Sequence, residues 1–178
     1  LTGHLVLSTL HTNDAVGTIG RFVDLGLDRP TLADTIRGAL AQRLVRRICP
    51  DCAVPIQGDL TESEAELAEE YGVSPVMRTV GCDKCGQTGY KGRLPLVEIL
   101  NITPRLKELI FSGAPAAELE SAAKAQGMRS LREVGAARVR VGETTLQELE
   151  RVLGDVGRTG PARSGAGVGA GQGPSTSA

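Results

Sequence analysis

Four cysteines constrain this chain more than anything else in it. Cys49 and Cys52 stand in "CPDC", Cys82 and Cys85 in "CDKC", and the 178 residues contain no others. Two C-x2-C pairs make a tetrahedral thiolate cage, because the two-residue spacer lets each pair turn round one ion with backbone amides facing the sulfurs. Zinc fits such a cage, with Zn–S near ~2.3 Å and every coordination position closed, so the site is expected to be structural. An iron site with the same ligands is the main alternative. Two disulfides or a redox dithiol are the bland readings. A reducing compartment disfavours the first, and a redox motif needs one pair, not two.

The cage has a topological consequence. It brings Cys49 close to Cys82, so "RLVRRI" (43–48), which ends just before the first pair, and "GRLPLVEIL" (92–100), which begins soon after the second, must approach each other. The simplest solution pairs them antiparallel, with the cysteine module as an oversized hairpin tip. Periodicity alone leaves 43–48 open between strand and helix continuation. Pro95 marks the returning strand as an edge or a bulge.

The flanking chain reads as α/β. "HLVLSTL" (4–10) is apolar and β-favouring, as expected of a buried strand in a parallel sheet. A helix follows, with Asn13 or Asp14 as cap, Val16, Ile19, Phe22 and Val23 at helical spacing, and Gly26 as its stop. Pro30 opens "TLADTIRGALAQ" (31–42), expected as a helix with Leu32, Ile36 and Leu40 on one face. Within the insertion, Thr61 and Glu64 form a capping box for a short acidic helix over 61–71. From Thr103 the pattern is helical: Thr103 caps with Pro104 behind it, Gly113 ends that helix, Ser130 and Glu133 make a second capping box, and "TTLQELERVLG" closes the fold. From Gly157 the sequence is Gly, Ala, Ser and Pro with little to bury, and is expected to be disordered.

Composition narrows the function. Lys and Arg number 20 against 21 Asp and Glu, a net charge of −1, which argues against a general nucleic-acid grip. The two Tyr and two Phe are few for a single-strand binder that needs stacking platforms. No apolar run reaches the ~18 residues of a membrane span, and no signal-peptide pattern is present, so a cytosolic setting is the default expectation. The chain opens at Leu1, without Met, straight into a strand-like segment; it is expected to be a piece of a longer protein.

"TGHLVLSTLHTNDA", "LAQRLVRRICPDC", "GCDKCGQTGYKGR" and "MRSLREVGAARVRVGETTLQEL", in unbroken order over about residues 1–153, resemble the C-terminal portion of a type II secretion or type IV pilus assembly ATPase. The resemblance implies a partial RecA-like P-loop NTPase core (1–48), an inserted tetracysteine zinc module (49–91), and a returning core strand with a C-terminal helical region (92–156), followed by the tail (157–178). It implies a homo-hexamer in the cytoplasm that uses ATP and Mg²⁺ and works on inner-membrane platform proteins. The family's Walker A and Walker B motifs precede the histidine box. The pattern G-x-x-x-x-G-K-[ST] is absent from this chain, so the chain alone is expected not to hydrolyse ATP.

The resemblance also suggests site residues. Strand 4–10 would point its carboxyl end at the ligand crevice of a doubly wound sheet, making His11 a sensor of the nucleotide γ-phosphate; the plain alternative is a histidine that satisfies a buried backbone group. Thr9 and Thr12 are weaker nucleotide candidates. His4, six or seven residues from the mouth, suits a structural or interface role. Arg43, Arg46 and Arg47 form a small basic cluster, either a solvated flank or a contact with nucleotide or a neighbouring subunit. Gly92, Arg93 and Glu98 match the family's strand after the zinc module, although "LPL" departs from its usual pattern. The competing function is a stand-alone zinc-ribbon module that binds protein or nucleic acid.

Overall fold

A computed structural model of the chain describes residues 3–154 and 156. The expected disordered tail lies outside them. Among the described residues the order is α1 (Gly17–Asp24), α2 (Arg29–Thr35), β1 (Gly38–Ile48), β2 (Ala53–Pro55), α3 (Glu62–Tyr71), β3 (Met77–Thr79), a 3₁₀ turn (Asp83–Cys85), β4 (Tyr90–Asn101), then α4 (Pro104–Ser112), α5 (Ala116–Ala125), α6 (Leu131–Arg140) and α7 (Leu146–Leu153).

The centre of the fold is the long antiparallel pair β1–β4, in register from Gly38 opposite Asn101 to Arg46 opposite Arg93, with a bulge before Ile48 meets Tyr90. This is the antiparallel pairing expected as the simplest solution to the cysteine spacing, with the cysteine module at its tip. Cys49 N–H extends the ladder by donating to Gly89 O at 2.9 Å. Pro95 is accommodated opposite Leu44. The two faces differ sharply. Ala41, Val45, Leu96 and Leu100 are buried against the helices, whereas Leu40, Leu44 and Ile99 are exposed on the other side.

Two expectations are corrected here. The helix beginning at Pro30 stops at Thr35, and Gly38–Gln42 belong to β1. Ile36 already has extended backbone, with ψ of 133°. A Cβ at Gly38 would sit 3.0 Å from Leu100 O, so the glycine permits the close approach of β4 that draws these residues into the ladder. Residues 4–10, expected as a buried strand of a parallel sheet, form no strand. Leu5, Val6 and Leu7 are 79%, 78% and 89% exposed. A strand exists by pairing with a neighbour, and both sheets of the described residues are antiparallel two-stranded pairs, β1–β4 and β2–β3.

Although α2 ends early, most helices start on side-chain caps, including the expected ones at Thr61, Thr103 and Ser130. Asp28, Thr61, Thr103, Ser130 and Thr145 each accept a first-turn amide, and both capping boxes form. Asp14 Oδ1 accepts from Gly17 N–H at 2.6 Å ahead of α1. Gly72 and Gly113 end α3 and α4 in the left-handed conformation that glycine adopts without a Cβ clash. The aliphatic core joins Leu96 and Leu100 of β4 to Leu106 and Ile110 of α4, Leu131 and Val139 of α6, and Leu146, Leu149 and Leu153 of α7. Each such side chain contributes roughly 1.5–3 kcal/mol by burial. Gly135 lets α6 and α7 approach: a Cβ there would lie 2.9 Å from a Leu149 methyl. Tyr71 and Val73, at the end of the insertion helix α3, belong to the same core.

Candidate functional site

The two cysteine turns are built alike. In the first, Cys52 N–H and Ala53 N–H both turn back to Cys49 O; in the second, Cys85 N–H and Gln87 N–H turn back to Cys82 O. Left-handed Gly86 follows the second turn, and Gln87 also has positive φ, at 62°. The four Sγ atoms lie within 4.8 Å of one another. Cys52 and Cys85 sulfurs are 3.9 Å apart, and Cys82 and Cys85 are 3.7 Å apart. A tetrahedral ion with ~2.3 Å bonds to sulfur needs sulfurs about 3.8 Å apart, so the donor set and its spacing fit a closed four-thiolate metal site.

The surroundings prepare the sulfurs unequally. Burial raises the Cys85 thiol, but the amides of Cys82 and Gly89, each 3.3 Å from its sulfur, outweigh that and bring it down to about 6. Burial pushes the Cys52 thiol up to about 11. Cys49 is fully buried and the other three are half-buried. Beside the turns, Lys84 Nζ pairs with Asp51 at 2.5 Å. The Lys84 contact lowers the Asp51 carboxyl, and the pair clips one cysteine turn to the other.

The base of the module is tied to the C-terminal helices. Ile48 N–H donates to Glu143 O at 3.0 Å, and Thr144 Oγ donates to Arg46 O at 2.9 Å. Tyr90 Oη and Thr145 Oγ are 2.7 Å apart, and Arg46 stacks over the Tyr90 ring at 4.1 Å. Glu64 adds a second fastening. Besides closing the capping box, it takes Arg78 Nε at 2.8 Å, and the Arg78 contact brings its carboxyl down to about 2. At the other end of α3, Arg132 pairs with Glu70 at 2.9 Å and stacks over Tyr71 at 4.0 Å.

The histidine box lies elsewhere. Thr9, His11 and His4 are exposed, on chain outside any helix or strand. Thr12 is half-buried, its hydroxyl 3.3 Å from that of Thr18. Arg43, considered as a nucleotide contact, donates through one guanidinium nitrogen to Thr12 O at 3.2 Å and Asn13 O at 3.1 Å. The three arginines of the basic cluster do not act together. Arg43 holds the 12–13 backbone, Arg46 pairs with Glu148, and Arg47 is exposed.

Besides Glu64, two further carboxylates are buried among the described residues. Glu148, with no side-chain exposure, receives Arg46 at 2.7 Å and Arg151 at 2.6 Å. Burial raises its carboxyl, but the two arginines and the Arg46 amide prevail and hold it at about 2. Nothing in "TTLQELERVLG" separates Glu148 from Gln147, which shares its place between Leu146 and Leu149 and is exposed. Glu98 is 3% exposed; its oxygens accept from Ala15 N–H at 2.7 Å and Leu131 N–H at 3.0 Å.

A family model described as type II/IV secretion system protein matches residues 1–151. The chain belongs to that family. Among curated relatives, it is 45% identical over 86% of its length to the type IV pilus assembly ATPase TfpB of Acinetobacter baylyi. It is 44% identical over 87% to the type II secretion system protein HxcR of Pseudomonas aeruginosa, and 42% identical over 85% to the type II secretion system ATPase E of Vibrio cholerae. The family resemblance read from the histidine box and the cysteine pairs is thus confirmed. The matches cover 26%, 29% and 30% of those three relatives.

Proposed function

We propose that this chain is part of a cytoplasmic, hexameric ATPase that couples ATP hydrolysis to type II protein secretion or type IV pilus assembly, acting on inner-membrane platform proteins. The observation that carries the reading is the family match over residues 1–151 on a chain whose four cysteines converge within 4.8 Å. Secretion and pilus assembly both remain in the reading because relatives of both kinds match equally well. No helix among the described residues is long and apolar enough to cross a membrane.

Within this reading the phosphate-binding loop and the acidic residues for Mg²⁺ come from sequence outside this chain, in a RecA-like core that 1–48 helps complete. Bound ATP with Mg²⁺ supplies the reacting γ-phosphate. His11, exposed at the end of the 4–10 segment, is the group of this chain that senses that phosphate by hydrogen bonding as charge develops. Thr9 and Thr12 are supporting candidates, and Arg43 acts by holding the 12–13 backbone. Zn²⁺, held by Cys49, Cys52, Cys82 and Cys85, has a structural role: a closed thiolate site leaves no position for substrate.

The test uses a longer protein that joins this chain to the phosphate-binding half. Mg²⁺-dependent ATP turnover is expected from the longer protein and none above a boiled control from residues 1–178 alone. Turnover by the short chain, or none by the long one, would refute the reading.

A further inference from the structure

Glu98 has an unusual position. Its carboxylate is almost fully buried, and among the described residues it forms no ion pair. Both oxygens are instead taken by main-chain amides from two distant segments, Ala15 at 2.7 Å and Leu131 at 3.0 Å. A buried carboxylate without a cation is a poor way to add stability, and burial raises its pKa above the ordinary value. What the arrangement does provide is a bridge.

The two ends of the bridge matter. Ala15 is fully buried and lies four residues after His11, in the loop whose Thr12 and Asn13 carbonyls are held by Arg43. Leu131 is the first residue of α6. A carboxylate there also faces the positive end of the helix, and its neighbour Arg132 ties α6 to Glu70 and Tyr71 of the insertion. A contiguous set of polar contacts therefore runs from the His11 loop through Glu98 to the start of α6 and on to α3.

We propose that Glu98 is a positioning residue that fixes the His11 loop to the first turn of α6, so that loop and C-terminal helices move as one body. A carboxylate is required because two N–H donors need two acceptors. A glutamine has the same shape but offers one acceptor and one N–H₂, which would face a backbone N–H. The consequence for turnover rests on the reading of His11 as a phosphate sensor.

Amide hydrogen exchange on the longer protein tests the bridge directly. In the wild type, Ala15 should exchange at least about a hundredfold more slowly than an unprotected amide, in keeping with a buried hydrogen bond. Glu98→Gln should release protection at residues 12–16 and at 130–132 together while α7 stays protected. An unprotected Ala15 in the wild type, or a change confined to the α6 start, would overturn the proposal, and the wild-type measurement stands even if the variant does not fold. For catalysis, Glu98→Gln should lower kcat about tenfold with KM within about twofold, and should add nothing in a His11→Ala background. Equal losses in both backgrounds would show that Glu98 does not act through the loop. Wild-type turnover in His11→Ala, with loop protection still lost in Glu98→Gln, would sink the sensor reading while supporting the bridge.

Discussion

Arg46 and Glu148 meet through both main chain and side chain: the Arg46 N–H donates to Oε1 at 2.8 Å, and its guanidinium Nε donates to Oε2 at 2.8 Å. The contact sits where the β1 bulge displaces the ladder between Arg46 and Ile48. A bulge leaves a backbone group unpaired, and here Glu148 of α7 supplies the missing acceptor. The hairpin that carries the cysteine module is thereby bolted to the last helix.

Glu148→Gln should destabilise the fold by roughly 1–3 kcal/mol, because it leaves two guanidinium groups, both partly open to solvent, without their anion and faces a donor with a donor. The pH dependence follows from the direction of the shift. The carboxyl is held at about 2 against an ordinary 4.5, so its stabilisation is fully present above pH 4.5 and is lost as pH falls towards 2. Urea unfolding of wild type and variant at several pH values checks this. The two should differ most above pH 5 and converge in acid. Glu64, also brought down to about 2, adds a second loss over the same range in both proteins. A stability gap unchanged between pH 6 and pH 3 would refute the account.

Much of this architecture was legible in the sequence. The cysteine spacing made an antiparallel pairing of 43–48 with 92–100 the simplest solution, and side-chain caps at Thr61, Thr103 and Ser130 marked helix starts because they satisfy amides locally. What was not legible depended on distant partners. Residues 38–42 carry a helical apolar spacing, but Gly38 and the approaching β4 made them strand. Residues 4–10 carry a strand pattern, but a strand needs a neighbour to pair with. Glu148 looked like any surface glutamate until Arg46 and Arg151 converged on it, and the role of Arg43 could be seen only once the 12–13 carbonyls lay beside it. Thr9 and His11 are placed on an exposed segment, where the chemistry proposed for them waits on a phosphate.

His11→Ala in the longer protein should depress ATP turnover about 10²-fold while nucleotide affinity changes little, since a group reading the γ-phosphate acts mainly on the charge of the transition state. Steady-state kinetics with a parallel binding titration separates the two. Affinity lost in proportion to turnover would make His11 an ordinary binding contact.

Gly89→Ala should weaken metal binding by at least about tenfold, the usual effect of disturbing a ligand's immediate support. Gly89 has φ of +77°, and a Cβ there would fall 2.5 Å from Thr79 Cβ. Its own backbone serves both cysteine turns, with N–H to Cys85 Sγ at 3.3 Å and O receiving Cys49 N–H at 2.9 Å. A side chain must push β4 away from β3 and pull the turns apart. Competition against a chromophoric chelator measures the change; wild-type affinity would show that the turns adjust independently of Gly89.

Metal removal should loosen the cysteine module in two parts. The turns at 49–53 and 82–87, together with β2 and β3, have short ladders, and Val54 and Val80 are exposed at 42% and 67%, so little apolar burial supports them once the ion is gone. Helix α3 is different, although it lies in the same insertion. Tyr71 and Val73 are in the main core, Tyr71 Oη donates to Glu150 at 3.2 Å, and Arg132 clamps the helix from α6. Cys82→Ser, or chelation, should therefore raise hydrogen exchange at 49–57 and 77–90 while 62–71 stays protected along with α6 and α7. If metal were the sole support of the insertion, loss would be uniform across 49–90. Mass spectrometry of peptides from the two regions distinguishes these outcomes, and early loss of protection in α3 would show that its packing on α6 and α7 depends on the metal after all.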